Sequence, residues 1–467
     1  MRTATRHTAR SPRSGRRSRA TRASLAVLAA GALAFTAAGC GGSEDGKSSS
    51  GSGGKDGAPS VKLPKLDGQK LQVAAVWTGA EQKNFNAVLD GFEKQTGAEV
   101  SFVPTGDNIS TFLGTKIEGG EPPDVAVLPQ VGVLQQFADK GWIKPVGSTV
   151  EDELGKNFSQ GWRDLGAHKG KQYGVYFKAA NKSLVWYNTA AFEAAGTSEP
   201  KTWEEFLDTA ETISASGVSP VAIGGADGWT LTDWFENVYL SQAGPEKYDQ
   251  LAQHKIKWTD PSVKKALETL GELFGEKTLI AGGQKGALQA EFPKSVTQAF
   301  AGGDSPDAAM VFEGDFVSIN IATDTKAKIG TDAKVFPFPA VGEESPVVSG
   351  GDAAVAMKDG KAAQALLTYL ASADAAEIWA KAGGFITPNK NLDLAAYPND
   401  VQRDIAKGLI AAGDDFRFDM SDQAPASFGG TKGEGEWKVL QDFLKDPEDV
   451  AGAQRKLEAE AAKAYKN

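Results

Sequence analysis

The sequence predicts an α/β protein made of two units, each a mainly parallel sheet flanked by helices. Three observations carry the prediction. From Leu66 onward, short apolar runs of strand character alternate with segments of helical period. Such alternation marks βαβ units, because each parallel strand needs a crossover, usually a helix, before the next. The chain's 467 residues also exceed the roughly 250–300 at which a single core stops growing.

The elements follow in order. "LQVAAVW" (Leu71–Trp77) is a continuous apolar run suited to a strand buried on both faces. Phe85, Val88, Leu89 and Phe92 then recur at helical spacing and predict a helix that stops at Gly97. "VSFVP" (Val100–Pro104) is strand-like, Asn108 is placed to cap a short helix to Ile117, and "PDVAVLP" (Pro123–Pro129) is another buried strand. "VGVLQQFADKG" (Val131–Gly141) closes this unit as a helix, with Gly141 as its stop. The pattern restarts at "YGVYFKAANKSLVWYN" (Tyr173–Asn188), which holds two extended runs, and continues into an amphipathic helix over Thr202–Gly217. "VSPVAIGG" (Val218–Gly225), "AAMVFEG" (Ala308–Gly314), "AKVFPFP" (Ala333–Pro339) and "GDAAVAM" (Gly351–Met357) are predicted strands, and the tail from Glu434 is largely helical. Ligands of such sheets bind at the carboxyl ends of the strands, and two facing units make that edge a cleft.

Charge is unevenly spread. The formal net charge is −10, but residues 1–39 hold eight arginines and no acid, leaving 42 basic against 60 acidic residues, or −18, in the rest. A body that acidic repels phosphates, so no nucleic-acid partner is expected. After Arg22, "ASLAVLAAGALAFTAAG" supplies the short apolar core of a secretory signal, below the about 20 residues of a comfortable membrane span. "GRRSR" (Gly15–Arg19) hints at a twin-arginine signal without the rest of that pattern. The one cysteine, Cys40, follows this run and has no partner for an internal disulfide. "TAAGC" resembles a bacterial lipobox, with Ala37 in place of the usual leucine, and implies cleavage before Cys40 and lipid attachment to it. The other reading is an ordinary signal peptide with an incidental thiol. Thirteen of the twenty residues from Gly41 to Ser60 are glycine or serine, a flexible tether. Within it, "GGSEDGKS" (Gly41–Ser48) matches the phosphate-loop pattern letter for letter, yet no strand enters it and no helix leaves it. It is rejected as a nucleotide site, and no cofactor is expected.

"ADGWTLTDWFEN" (Ala226–Asn237) sets Trp229 and Trp234 beside Asp227 and Asp233, after Gly224 and Gly225. With Thr230 as N-cap, Asp233 is the third helical residue, a capping-box-like T-x-x-D, and the two tryptophans take hydrophobic-staple positions. A cap contributes only about 1 kcal/mol, however, and a smaller apolar pair would staple as well as two indoles of about 150–250 Å². At a glycine-rich turn beside a predicted cleft edge, Trp229 is expected to face the ligand and Trp234 to brace the helix.

Several stretches resemble the extracellular solute-binding proteins of bacterial ABC importers, in the carbohydrate-binding group that includes maltose-binding proteins. They are "FNAVLDGFEKQTGAEVSF", "YGVYFKAANKSLVWYNTAAFEAAGTSEPKTWEEF", "AAMVFEGDF", "KVFPFPAV" and "GGFITPNK" (Gly383–Lys390). "GGADGWTLTDWFEN" looks most like the α-glucoside binders of that group. The resemblance implies a two-lobed periplasmic-binding-protein fold with crossing hinge strands, near Tyr176–Ala180, Phe338–Val341 and Pro388–Leu392, and a cleft that closes on a sugar. It divides the chain into a signal (1–39), a lipid-anchored linker (40–65), lobe 1 (66–177 and 339–389) and lobe 2 (178–338 and 390–467). The implied partners are permease subunits, a cytoplasmic ATPase and, through lipid on Cys40, the outer membrane face; the chain itself is expected to be monomeric.

A sugar offers apolar faces to aromatic rings and a rim of hydroxyls to carboxylates, amides and lysines. The candidate ligand residues are Trp77, Glu81, Gln130, Lys178, Trp229, Asp233, Trp234, Asp315, Phe316, Asp352 and Asp422, those after the first strand, Gln130, Asp315 and Phe316 by family position, with Asp419 and Phe428 also in reach. Each has a structural alternative: core packing for Trp77, a helix-end charge for Glu81, a loop amide for Gln130, a hinge ion pair for Lys178, and caps or turns for Asp315 and Asp352. No enzyme or metal site is expected. His168 and His254 are far apart and show no metal-ligand spacing, and no G-x-S-x-G stretch is present. The alternatives left open are a lipid-anchored glycoside hydrolase, whose paired carboxylates sequence cannot reveal, and a binding protein for a non-sugar solute.

Overall fold

The computed structural model describes residues 61–412 and 416–466. The signal segment, Cys40 and the phosphate-loop look-alike Gly41–Ser48 lie outside those residues.

The apolar runs become strands where expected: β1 (Lys70–Ala75), β2 (Glu99–Pro104) and β3 (Val125–Leu128). Between β1 and β2 lies the helix Gly79–Thr96, which buries Phe85, Val88, Leu89 and Phe92 and ends at Gly97, whose φ of 79° is left-handed. Two residue pairs, β4 (Ala167–His168) and β5 (Lys171–Gln172), form a small hairpin. β6 (Gly174–Asn181) and β7 (Leu184–Asn188) follow, then a helix Trp203–Ala215 whose Thr202 N-cap forms a capping box with Glu205. β8 (Ser219–Ala222), β9 (Ala308–Glu313), β10 (Ala333–Pro337), β11 (Val348–Ala356) and β12 (Arg417–Phe418) complete the strands.

They build two main sheets. The first has the order β12-β11-β3-β1-β2, with β6 also on β11; the second is β10-β7-β9-β8. Of the strand pairings among the described residues, only β1–β2, β1–β3, β11–β12 and β8–β9 are parallel. The expectation of mainly parallel sheets therefore needs correcting. β6 carries the chain out of the first sheet and β11 brings it back, so these two strands run opposite ways and pair antiparallel.

The chain changes sheets between Asn181 and Leu184 and returns between Pro337 and Val348. Residues near 388–392 make no third crossing: Ile386 O accepts from Ala179 N, Lys390 N donates to Asn157 O, and Leu392 packs in the first core. Beyond β12 the chain runs into the second unit, where Gly435–Lys445 packs on Trp229–Ala243. The folded body also starts earlier than residue 66, because Val61 and Leu66 are both buried in the first core.

Candidate functional site

A cavity of about 480 Å³ lies at the carboxyl ends of β1, β2 and β3, facing the loops that follow β8 and β9. The size suits a small-molecule site, for which about 300–1,000 Å³ is usual. Trp77, Glu81, Gln130, Trp229, Phe316, Asp352 and Asp422 all line it. Lys178, Asp233, Trp234 and Asp315 do not.

One wall is aromatic. The Trp229 ring stands 5.4 Å from Phe292 and 5.9 Å from Phe316, and those two rings are 5.4 Å apart. All three are half-buried, leaving part of each ring toward the cavity. The tryptophan pair is parted by helix geometry. The helix Trp229–Ala243 begins two residues earlier than a Thr230 cap would give, with Gly228 as N-cap. Gly228 has a φ of 88°, and a Cβ there would meet Trp437 Cβ at 2.9 Å, so both the turn and the packing require glycine. Five positions along a helix turn a side chain by about 140°, which sends Trp234 away from Trp229. Trp234 is 1 % exposed, with its ring 4.5 Å from Phe312 and 5.7 Å from Phe338. The expected capping box and staple are absent: Thr230 Oγ1 donates to Gly224 O at 2.9 Å, and Asp233 turns to Lys182. Trp77 lines the cavity at 2 % exposure and is mainly a brace, edge-on to Phe85 and Trp379.

Two lysines stand at the hinge. Lys178 on β6 faces Asp352 on β11 beside a bulge that shifts the register after Asp352. Its ammonium lies 2.6 Å from Glu81 and 4.0 Å from Asp352. Burial works to lower its pKa, but Glu81 and Asp352 outweigh this and hold it above the usual value. Asp315 serves the same junction from behind, where its Oδ1 accepts from Asn181 N at 2.8 Å. Burial pushes Asp315 up to about 7 and Asp352 to about 6, with Lys178 opposing both.

Lys182 lines the cavity 5.6 Å from the Trp229 ring centre and turns its ammonium to Asp419, to Asp233 at 3.2 Å and to Asp422 at 3.7 Å. Glu236, Glu313 and Glu436 are fully buried around this group. Asp419 caps the turn Met420–Gln423, accepting from Asp422 N. Burial resists its ionisation, but Lys182 wins and holds it at about 2. Its neighbours respond in the opposite sense. Burial raises Asp233 to about 7 against the pull of Lys182, and burial plus the Asp419 charge raises Asp422 well above the carboxylate range.

These shifts set a stability profile. The folded chain keeps protons on Asp107, Asp352, Asp233 and Asp315 up to about pH 6–7, whereas unfolded carboxyls have lost them soon above 3.8. Their contribution is full below the unfolded value and is lost as pH rises through 6 and 7. The unliganded chain is therefore expected to melt about 5 °C higher at pH 5 than at pH 8. A flat or rising melting profile by calorimetry would contradict the protonation assigned here.

Sequence reading missed Asp107, Lys182, Asp227, Phe292, Lys432 and Trp437, all of which line the cavity. Only Lys182 carried a usable signal, since it lies four residues from Lys178 and an extended chain repeats its faces every second residue. The rest sit on loops or helix starts brought together by the fold. Lys432 lies 3.2 Å from Asp227 and 3.7 Å from Asp107, joining an element after β2 to one after β8. Burial, then Asp227, lifts Asp107 to about 6 against Lys432. Among the described residues, no group of His, Cys, Asp or Glu is arranged to hold a metal ion, and no helix is long and apolar enough to cross a membrane.

Two sheets exchanging their chain at a hinge, with an aromatic and polar cavity at the strand ends, define a two-lobed solute-binding protein. The chain belongs to the bacterial extracellular solute-binding protein family, the capture components of ABC importers; the family pattern matches residues 77–377. It is 33 % identical over 386 residues to the osmoprotective compounds-binding protein GgtB of Synechocystis sp., covering 81 % of this chain and 89 % of that one. It is 32 % identical over 408 residues to the alpha-glucosides-binding periplasmic protein AglE of Rhizobium meliloti, covering 84 % and 87 %. Among solved structures, the bacterial solute receptor AcbH, described as preferring β-D-galactopyranose, superposes with a TM-score of 0.74 at 23 % identity over 85 % of this chain and 99 % of that one. RafE in complex with raffinose gives 0.69 at 19 % identity over 84 % and 99 %. These two likenesses concern the fold.

Proposed function

We propose that the chain captures a neutral saccharide, of the α-glucoside kind, between its two lobes and delivers it to the permease of an ABC importer. The observation that carries this is the wall of Trp229, Phe292 and Phe316 facing a rim of carboxylates, amides and lysines in one cavity. Rings cover the apolar face of a pyranose, and the rim takes its hydroxyls. The name of the relative AglE, an alpha-glucosides-binding protein, supports a glucoside ligand. The site consists of Trp77, Glu81, Gln130, Trp229, Phe316, Asp352 and Asp422, with Lys182 and Lys432; Lys178 and Asp315 serve the hinge, and Asp233 and Trp234 the interior. The lobes exchange chain near 182, 338 and 419, and the saccharide favours closure by contacting both. The chain works as a monomer, breaks no bond and needs no cofactor.

The test is titration of the purified chain with α- and β-linked saccharides, peptides and amines, following tryptophan fluorescence and melting temperature. Binding of a saccharide in the micromolar range or tighter is expected. A response only to peptides or amines would end the carbohydrate reading, and release of reducing ends would favour a hydrolase.

Lipid on Cys40 holds the protein at the outer membrane face in this reading. Cys40→Ala is expected to move most of the protein from the membrane fraction to the medium, scored by immunoblot. Retention of the variant in the membrane would remove the anchor.

A further inference from the structure

Segment 430–437 runs along one wall of the cavity and touches both lobes. A Cβ at Gly430 would stand 3.4 Å from Cγ and Cδ of Gln130, which follows β3 of the first sheet. Lys432 lies between Asp227 and Asp107. Trp437, at the start of the helix Gly435–Lys445, packs on Gly228 of the second unit. Gln130 and Trp437 both line the cavity, at 7 % and 3 % exposure, and each holds a buried polar atom without a partner: Gln130 Oε1 and Trp437 Nε1. Leaving such an atom unpaired costs a desolvation penalty, and orphans of this kind need an explanation.

The two orphans are complementary in kind. Gln130 Oε1 accepts and Trp437 Nε1–H donates, and a hydroxyl does both. A carboxylate or phosphate accepts only, so it would satisfy the indole while facing the amide oxygen and the carboxylates Asp107, Asp227 and Glu291 nearby. An ammonium donates only and would leave the indole unpaired. We propose that this wall is a hydroxyl-reading subsite, in which Gln130 and Trp437 bind hydroxyls of the captured saccharide from opposite lobes and select them over charged or deoxygenated groups. The inference rests on the saccharide reading above. It adds a specificity element distinct from the Trp229 aromatic wall.

The test uses Trp437→Phe, which removes the N–H and keeps a ring, and Gln130→Met, which keeps length without the amide. Calorimetric titration of the full-length chain is made with the saccharide that wild type binds best and with its monodeoxy analogues. Each variant is expected to bind the parent sugar about tenfold more weakly, while wild type loses a similar factor for one deoxy analogue. Each variant should be indifferent to loss of the hydroxyl it no longer reads. The melting temperature without ligand should hold or rise, because an orphaned buried group has been removed. Unchanged affinity in both variants, or the same deoxy penalty in wild type and variants, would overturn the subsite and leave the saccharide reading standing. No saccharide binding by wild type would overturn both.

Discussion

Lys182→Met is expected to lower the melting temperature of the unliganded chain by roughly 6–10 °C at pH 8, and by much less at pH 5. The lysine is the shared cation of Asp419, Asp233 and Asp422, and its ammonium is almost enclosed. Removing one partner of a buried ion pair typically costs about 3–5 kcal/mol, because the remaining charge has neither water nor a counter-ion. The pH dependence is the discriminating part. Asp419 owes its depressed pKa of about 2 to Lys182, so without the lysine it must rise, and its ionised form becomes a burden only where pH keeps it ionised. Lowering the pH protonates it and restores stability. Lys178→Met is the internal comparison: its main partner Glu81 keeps a side chain 27 % exposed, so water can take over part of the lysine's role and a smaller loss is expected. If Lys182→Met melts like wild type at pH 8, the buried charge arrangement is not as described.

The second large effect separates the two tryptophans of "ADGWTLTDWFEN". Trp229→Ala is expected to weaken saccharide binding at least tenfold, as loss of an aromatic anchor does, while moving the melting temperature by no more than about 2 °C. Trp234→Ala is expected to do the reverse, losing about 3–5 kcal/mol of stability with near-normal affinity in whatever remains folded. The reason is position. Trp229 is half-buried against the rings of Phe292 and Phe316 and lines the cavity. Trp234 is enclosed by Trp203, Phe206, Phe274, Phe312 and Phe338. Unfolding by denaturant together with ligand titration measures both quantities on each variant. Loss of stability without loss of affinity in Trp229→Ala would reduce that residue to packing.

The strands and the main helices were legible because local pattern specifies them. Phe85, Val88, Leu89 and Phe92 form a buried stripe whatever they pack against, and Gly97 must end that helix because its backbone is left-handed. Thr202 and Glu205 are three residues apart, and a capping box needs nothing farther away. Strand direction was not legible. β6 and β11 lie 168 residues apart at their closest paired positions, Ser349 and Asn181, and nothing local to either says they will pair antiparallel. The "WTLTDW" reading failed for a related reason. A Thr230 cap was locally sound, but the tight packing of Gly228 on Trp437, far off in sequence, placed the helix start two residues earlier.

By itself the sequence determined the α/β class, the family, and the aromatic and acidic character of the site, since these are properties of residue type and of short-range period. Tertiary structure alone decided which residues share the cavity. Lys182 meets Asp419 across 237 positions, and Lys432 meets Asp227 across 205. Such pairings are chosen by how the two sheets pass the chain between them and by the cost of burying a charge without a partner. Neither leaves a mark on the neighbouring residues. Trp229 and Trp234 look alike in the sequence, and only the turn of the helix between them sends one to the ligand and the other to the core.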